Sequence, residues 1–442
     1  MKNKIITALL VFIIAFESVS IDIVKAKLPT VNAKSYVIMD ASNENVIYKK
    51  NPNMRIYPAS TTKILTAMCV LDELDLDKKI KFTSNMQKVS GSFDIAHIYI
   101  PIGTVYTVKE YLYMMLMASD ASSAAALAIG SSGSISAFSK KMNKKVKELG
   151  LKNSKFDNPI GLDIGNNYNN IYSTAKDFAI LSRKAMSYPT IRKIARTKSY
   201  KVAKSNKKAS FKVNNTNLFL HYYDYDKTSY TVIGLKTGYT NAAKYCMVVI
   251  GRDTNNHELI ASYFGASNNS LRYSGIRDLL NYSFKRVKNG KLKLKIDFWD
   301  TRYSEQASLI RKYAYKGVLK ANADGRFYPN RKVTAKQFSN YIKKIAKVNI
   351  SFSTSKVSVK KFVEAYNDYY TANLTAKELK ANKIFPDSMK IAKSFKISKA
   401  QAVYIANKLK SVKKNASSDA RANASSDAST NASSDASPNA NS

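Results

Sequence analysis

The sequence predicts an α/β fold, an antiparallel sheet flanked by helices, followed by a small and mostly helical repeat module. Three observations predict it. Alternating apolar runs occupy residues 34–50 and return from Tyr230 to Phe264. Helical periodicity fills the interval between them. Beyond about Lys288 the composition turns densely basic and faintly repetitive. Strands at both ends of one segment, with helices between and after them, suit a single sheet completed from both ends of a domain.

The elements follow in order. Tyr36, Ile38 and Asp40 alternate with Val37 and Met39, a polar turn follows at Asn43-Glu44-Asn45, and Val46-Ile47-Tyr48 resumes. Pro58 precedes a helix expected from about Ser60 to Leu74, with Ile64, Leu65, Met68 and Leu71 on one face. Thr107 and Glu110 have the spacing of a capping box, opening a helix that stops near Ser119. An Ala-rich helix is expected from about Ser122 to Ile129, ending at Gly130, and another from an N-cap at Ser173 to Ala185. Tyr245–Ile250 and Glu258–Phe264 read as a hairpin around Asp253-Thr254-Asn255-Asn256, and Leu271–Phe284 as a closing helix.

Charge and the N-terminus bound the setting. The 442 residues carry 72 Lys and Arg against 31 Asp and Glu, a formal net charge of +41. Such an excess predicts a polyanionic neighbour. Lys2 and Lys4 precede an apolar run from Ile5 to Phe16, and Val24-Lys25-Ala26 offers small residues for cleavage. This reads as a signal peptide over residues 1–26, so the expected location is secreted, extracellular and wall-associated. Export argues against nucleic acid and leaves anionic cell-wall polymers or a membrane surface as partners. Cys69 and Cys246 are the only cysteines, expected as two free buried thiols.

Chemistry concentrates in two short motifs. Ser-x-x-Lys occurs six times, but only Ser60 combines a preceding Pro58-Ala59 with a long apolar helix behind it. One helical turn places Ser60 and Lys63 on the same face. A serine hydroxyl needs a base, and a lysine serves when burial and a nearby cation favour its neutral form. Lys236-Thr237-Gly238 closes the alternating run that starts at Tyr230 and supplies such a cation. Taken singly, Ser60 reads as a helix cap, Lys63 as a solvated charge and the tripeptide as a strand end. Together and in this order they point to a serine nucleophile facing a carboxylate-gripping strand. His97, His221 and His257 lack metal-ligand spacing, and neither a metal nor another cofactor is expected.

Pro58-Ala59-Ser60-Thr61-Thr62-Lys63-Ile64-Leu65-Thr66 and Ile233-Gly234-Leu235-Lys236-Thr237-Gly238-Tyr239-Thr240 closely resemble active-site text of the penicillin-binding D-alanyl-D-alanine carboxypeptidases. Asn158–Asp163 and Tyr172–Asp177 resemble further family segments at the expected intervals. The resemblance covers roughly residues 30–287. It implies a serine β-lactamase/transpeptidase-like fold with a helical subdomain. It also implies roles: Ser60 the acylated nucleophile, Lys63 its base, and Ser119 a proton relay to the leaving D-alanine. Lys236 and Thr237 would hold the substrate carboxylate, with Gly238 beside them, and the N–H groups of Ser60 and Tyr239 would form the oxyanion hole. The implied substrate is a peptidoglycan stem peptide, with β-lactams as inhibitors. One departure stands out. The family's second motif is Ser-x-Asn, whereas this chain has Ser119-Asp120-Ala121. Reduced activity is expected from the missing amide, and a catalytically silent wall-binding protein on the same fold is the alternative. No deacylating carboxylate motif of a β-lactamase is recognisable.

Downstream, Tyr313–Ala346 resembles an S-layer homology repeat through Gly317-Val318-Leu319, Asp324-Gly325-Arg326-Phe327-Tyr328-Pro329 and Val333-Thr334. The stretches at Val357 and Ile397 read as decayed copies, each a β-branched residue, a hydroxyl cap and a helix. The resemblance implies binding to anionic wall polymers, although its usual arginine is Ala335 here and Lys399 in the last copy. The expected domains are therefore 27–287 for the enzyme-like unit, 288–299 as linker and 300–412 as the basic module. A disordered tail is expected over 413–442, with an Asn-Ala-Ser-Ser-Asp repeat.

Overall fold

A computed structural model describes residues 27–91, 98–163, 170–294, 298–322, 325–352, 354–370, 372–392 and 394–412. Residues 1–26, read above as a signal peptide, His97, Asp324 and residues 413–442 lie outside the described residues.

Strand β1 (Ser35–Asp40) turns through a left-handed Glu44 into β2 (Val46–Lys50). The helix expected from Ser60 begins as a tighter 3-10 turn (Ala59–Thr62) and becomes α1 (Lys63–Leu71). Such turns are common at helix starts, and here Ala59 is left-handed with φ 49°. The ribbon of β3 (Lys79–Lys81) and β4 (Val105–Thr107) brackets α2 (Ser84–Gly91). Helix α3 (Val108–Met117) is capped by the Thr107 hydroxyl, which accepts from the Glu110 N–H. Glu110 does not close the expected box: its carboxylate accepts from Tyr200 Oη and the Ala203 N–H.

Helix α4 (Ala121–Ser132) runs past Gly130 and ends at left-handed Gly133, φ 76°. Gly130 is a packing requirement instead of a stop, because a Cβ there would lie 2.8 Å from Ile80. Helices α5 (Ile135–Glu148), α6 (Ala175–Ala185) and α7 (Pro189–Arg196) follow. The α6 cap is Thr174, one residue beyond the expected Ser173, whose backbone bridges to Ile56. A second ribbon, β5 (Ser199–Val202) with β6 (Phe211–Asn214), leads into β7 (Thr231–Thr240), β8 (Lys244–Arg252) and β9 (Glu258–Ala266). Helix α8 (Asn269–Lys288) starts from an Asn268 cap.

The five-stranded sheet has the order β2-β1-β9-β8-β7 and is antiparallel throughout. Pairing of β1 with β9 joins the two ends of the domain, as the strand–helix–strand pattern required. Alternation sorts the faces. Val37, Met39, Val248 and Ile260 pack towards the helical block, while Ile38, Val249, Ala261 and Tyr263 pack under Ile276 and Leu280 of α8. Cys69 and Cys246 are free and buried, as expected, and burial raises both thiols to about 12.

A separate core lies between Phe298 and Leu409. It is built by α9 (Ala307–Tyr315), α10 (Ala335–Ala346), α11 (Val359–Tyr370), α12 (Ala376–Ala381) and α13 (399–412). Thr334, Ser358 and Ser398 each accept from a backbone N–H three residues on, at the starts of α10, α11 and α13. The three lead-in segments pair in a ring: Thr334 with Lys356, Ser358 with Lys396, and Lys332 with Ser398. Val333, Val357 and Ile397 are fully buried inside that ring. Lys399 is also buried and donates to the Phe327 carbonyl, so packing occupies the ammonium.

The two cores meet through ion pairs. Glu258 on β9 accepts from Arg192 of α7 and from Arg302, with Arg302 Nη2 at 2.6 Å. Arg311 donates to the Ser42 carbonyl at 2.9 Å, and Arg183 stacks on Tyr303.

Candidate active site

Ser60 and Lys63 sit where the 3-10 turn passes into α1. Lys63 is buried, and its Nζ donates to Ser60 Oγ at 2.8 Å and to the Ile160 carbonyl at 3.2 Å. The second contact comes from the Asn158–Asp163 segment. There the Asn158 side chain accepts from the N–H groups of Ile160, Gly161 and Leu162, curling the loop onto Ser60. Gly161 is left-handed (φ 93°), and a Cβ on it would fall 1.9 Å from the Ala59 carbonyl oxygen. Only glycine allows the backbones that close an approach.

Strand β7 lies against the same turn from the other side. A Cβ on Gly238 would stand 3.2 Å from the Ser60 nitrogen and 3.1 Å from Ala59 Cβ. Lys236-Thr237-Gly238 therefore faces Ser60, as the sequence pattern demands. Lys236 is buried and donates to the Thr237 carbonyl at 3.0 Å, while Thr237 Oγ1 lies 2.7 Å from Thr216 Oγ1. Tyr239 is about half exposed at the strand end, its ring 4.5 Å from that of Tyr245.

Electrostatics set the proton states. Burial lowers Lys63 to about 7, against a counter-pull from Asp120. Lys236 is driven well below its usual range by burial first, then by the charges of Lys63 and Arg272. Asp120 pulls on Lys63, whereas the charges that act on Lys236 are both positive. A carboxylate entering beside Lys236 would restore its charged form.

The loop between α3 and α4 carries Ser119 in a left-handed conformation, φ 63°. The carboxylate of its neighbour Asp120 accepts from the Ile98 N–H at 2.6 Å and from the backbone and hydroxyl of Ser123, and its charge still favours the protonated form of Lys63. Burial raises Asp120, opposed by those hydrogen bonds. Ala121, standing where the amide is missing, is fully buried in the first turn of α4.

Arg272 went unread in the sequence. Its guanidinium, on α8, donates to the carbonyls of Gly238 and Cys246, both at 3.2 Å, and packs on Tyr245 and Tyr273. A charge on the apolar face of a closing helix was the available signal. His221 and His257 are tied to Asn215 and Asp253, away from one another's partners. Among the described residues no group of three metal-ligating side chains converges.

Residues 22–268 match the D-alanyl-D-alanine carboxypeptidase family. The chain belongs to that family. It is 36% identical over 266 residues to a D-alanyl-D-alanine carboxypeptidase of Bacillus subtilis, covering 59% of this chain and 64% of that one. The chain thus spans somewhat less than two thirds of that relative. A D-alanyl-D-alanine endopeptidase of Escherichia coli is 32% identical over 227 residues, 51% of this chain and 68% of its own. Among solved structures, a Streptomyces DD-transpeptidase superposes with TM-score 0.54 at 28% identity, covering 59% of this chain and 99% of that one. Penicillin binding protein 5 of Haemophilus influenzae gives TM-score 0.52 at 29% identity, covering 59% and 72%. As a carboxypeptidase-family chain it therefore has the transpeptidase-like fold, and the family match encloses both Ser60 and Tyr239.

Proposed function

We propose that this protein is an exported serine-type D-alanyl-D-alanine carboxypeptidase, held at the cell wall by its basic C-terminal module. One observation carries the catalytic part: Lys63 Nζ lies 2.8 Å from Ser60 Oγ in a buried setting that lowers the amine to about 7. Neutral Lys63 takes the Ser60 proton, and Oγ attacks the carbonyl carbon of the penultimate D-alanine. The N–H groups of Ser60 and Tyr239 stabilise the tetrahedral oxyanion. Ser119 relays a proton to the departing amine, and D-alanine leaves. Water then hydrolyses the ester and frees Ser60. Until D-alanine leaves, Lys236 and Thr237 grip its terminal carboxylate, and Arg272 braces the strand carbonyls behind them. Purified protein is expected to release D-alanine from a stem pentapeptide, measured with a coupled oxidase assay.

The pH dependence follows from the sign of the Lys63 shift. The base is the neutral amine, so acylation by a β-lactam is expected to level off above pH 7. Below that value it should fall about tenfold per pH unit. A flat profile from pH 5 to 8 would remove Lys63 as the base.

Ala121 favours a second reading, a catalytically silent protein on the same fold. Losing one transition-state hydrogen bond costs ~100-fold or more in rate. Absence of both D-alanine release and a β-lactam adduct would leave that reading standing.

Wall retention is supported by the net charge of +41 and by the ring of three capped segments. The full chain is expected to pellet with wall sacculi and to stay in solution once the anionic polymers have been extracted. Undiminished pelleting after extraction would exclude polymer anchoring.

A further inference from the structure

Residues 154–163 form no helix or strand, yet hydrogen bonds pin them at short intervals. Ser154 Oγ donates to Asp177 at 2.8 Å, and the Lys155 backbone bridges to Tyr172. The Asn143 side chain of α5 accepts from the Phe156 N–H and donates to the Phe156 carbonyl. The Pro159 carbonyl accepts from Thr66 on α1 at 2.7 Å, and the next carbonyl, that of Ile160, accepts from Lys63. The loop is therefore a fixed boundary on the Lys63 side of Ser60.

At the end of this stretch Asp163 reaches across to the opposite side. Its carboxylate accepts from Thr240 Oγ1 at 2.5 Å, and Thr240 Oγ1 in turn accepts from the Ala243 N–H at 3.0 Å. Thr240 closes β7 directly after Tyr239, and Ala243 belongs to the turn into β8. Asp163 is half-buried. Burial raises its carboxyl, and the Thr240 hydroxyl, then the N–H groups of Asp163 and Ala243, pull it back down. One carboxyl thus joins the loop that holds Lys63 to the strand end that carries the Tyr239 N–H.

We propose that Asp163 is a positioning residue: through Thr240 it fixes the spacing between the Lys63 side of the site and the oxyanion-binding end of β7. The proposal rests on the peptidase reading of Ser60 and extends it to how the two sides are kept in register. An oxyanion hole works when its donors are in place before charge develops. A misplacement of about 1 Å costs ~100-fold in rate. That charge exists only in the transition state, so the loss falls on the acylation step and not on capture.

Asp163→Ala, Thr240→Val, the double variant and Thr240→Ser are made in the full chain. Stopped-flow acylation by a chromogenic β-lactam separates the first-order acylation constant from the capture constant. Asp163→Ala and Thr240→Val should each lower the acylation constant at least about tenfold, with capture unchanged. The double variant should be no worse than either, because both changes delete one bond. Thr240→Ser keeps the hydroxyl and should return to within about twofold of the parent, which a general loosening of the fold would not predict. Amide hydrogen exchange on the same proteins reads the tie without catalysis. Peptides covering 158–163 and 238–243 should both exchange faster in Asp163→Ala and match the parent in Thr240→Ser. A parent that captures no β-lactam sinks the peptidase reading, and exchange alone then decides the tie. Losses that add in the double variant, a loss confined to capture, or unchanged exchange in both peptides overturns the proposal.

Discussion

Ser60→Ala is expected to abolish covalent capture of a β-lactam and to lower D-alanine release by about 10⁴-fold. The expectation rests on Ser60 Oγ being the hydroxyl that accepts from the buried Lys63 amine. Lys63→Ala should come close to the same loss, since an unactivated serine attacks poorly. The double variant should be little worse than either single one, because a nucleophile and its base act as a unit. Steady-state D-alanine release for all three variants checks this. Additive losses would mean that the two side chains do separate work.

The second large effect belongs to the junction between the two cores. Glu258→Ala is expected to destabilise the protein by about 3–5 kcal/mol, because it takes the shared carboxylate from between the buried Arg192 and Arg302 guanidiniums. Urea titration followed by Trp299 fluorescence measures it, and the transition around Trp299 should move to lower urea. The pH sign is fixed as well. Burial alone would raise Glu258, but Arg192 and Arg302 outweigh it and hold the carboxyl at about 2, against an ordinary 4.5. A lowered folded-state value stabilises fully above the ordinary value and is lost as pH falls towards 2. Wild-type junction stability should therefore drop between pH 4.5 and 2, and a Glu258→Ala protein should lack that component.

The sheet was legible because its strands alternate so regularly: Val37 and Met39 against Ile38, Val248 against Val249. The pair Ser60 and Lys63 was legible because one helical turn fixes their spacing, and Lys236-Thr237-Gly238 because it closes an alternating strand run. Local chemistry misled where tertiary packing overrode it. Gly130 looked like a helix stop but makes room for Ile80, and Glu110 left its capping role for Tyr200. Arg272 and the Arg192–Glu258–Arg302 cluster stayed invisible, since their partners come from segments far apart in sequence and no periodicity links them.

The most direct measurement is intact and peptide mass spectrometry of the protein after incubation with penicillin. One increment equal to the intact β-lactam is expected, mapped to the peptide that contains Ser60 and absent from Ser60→Ala. An unmodified mass, or an adduct on any other peptide, would contradict the assignment of Ser60 as the hydroxyl that Lys63 activates.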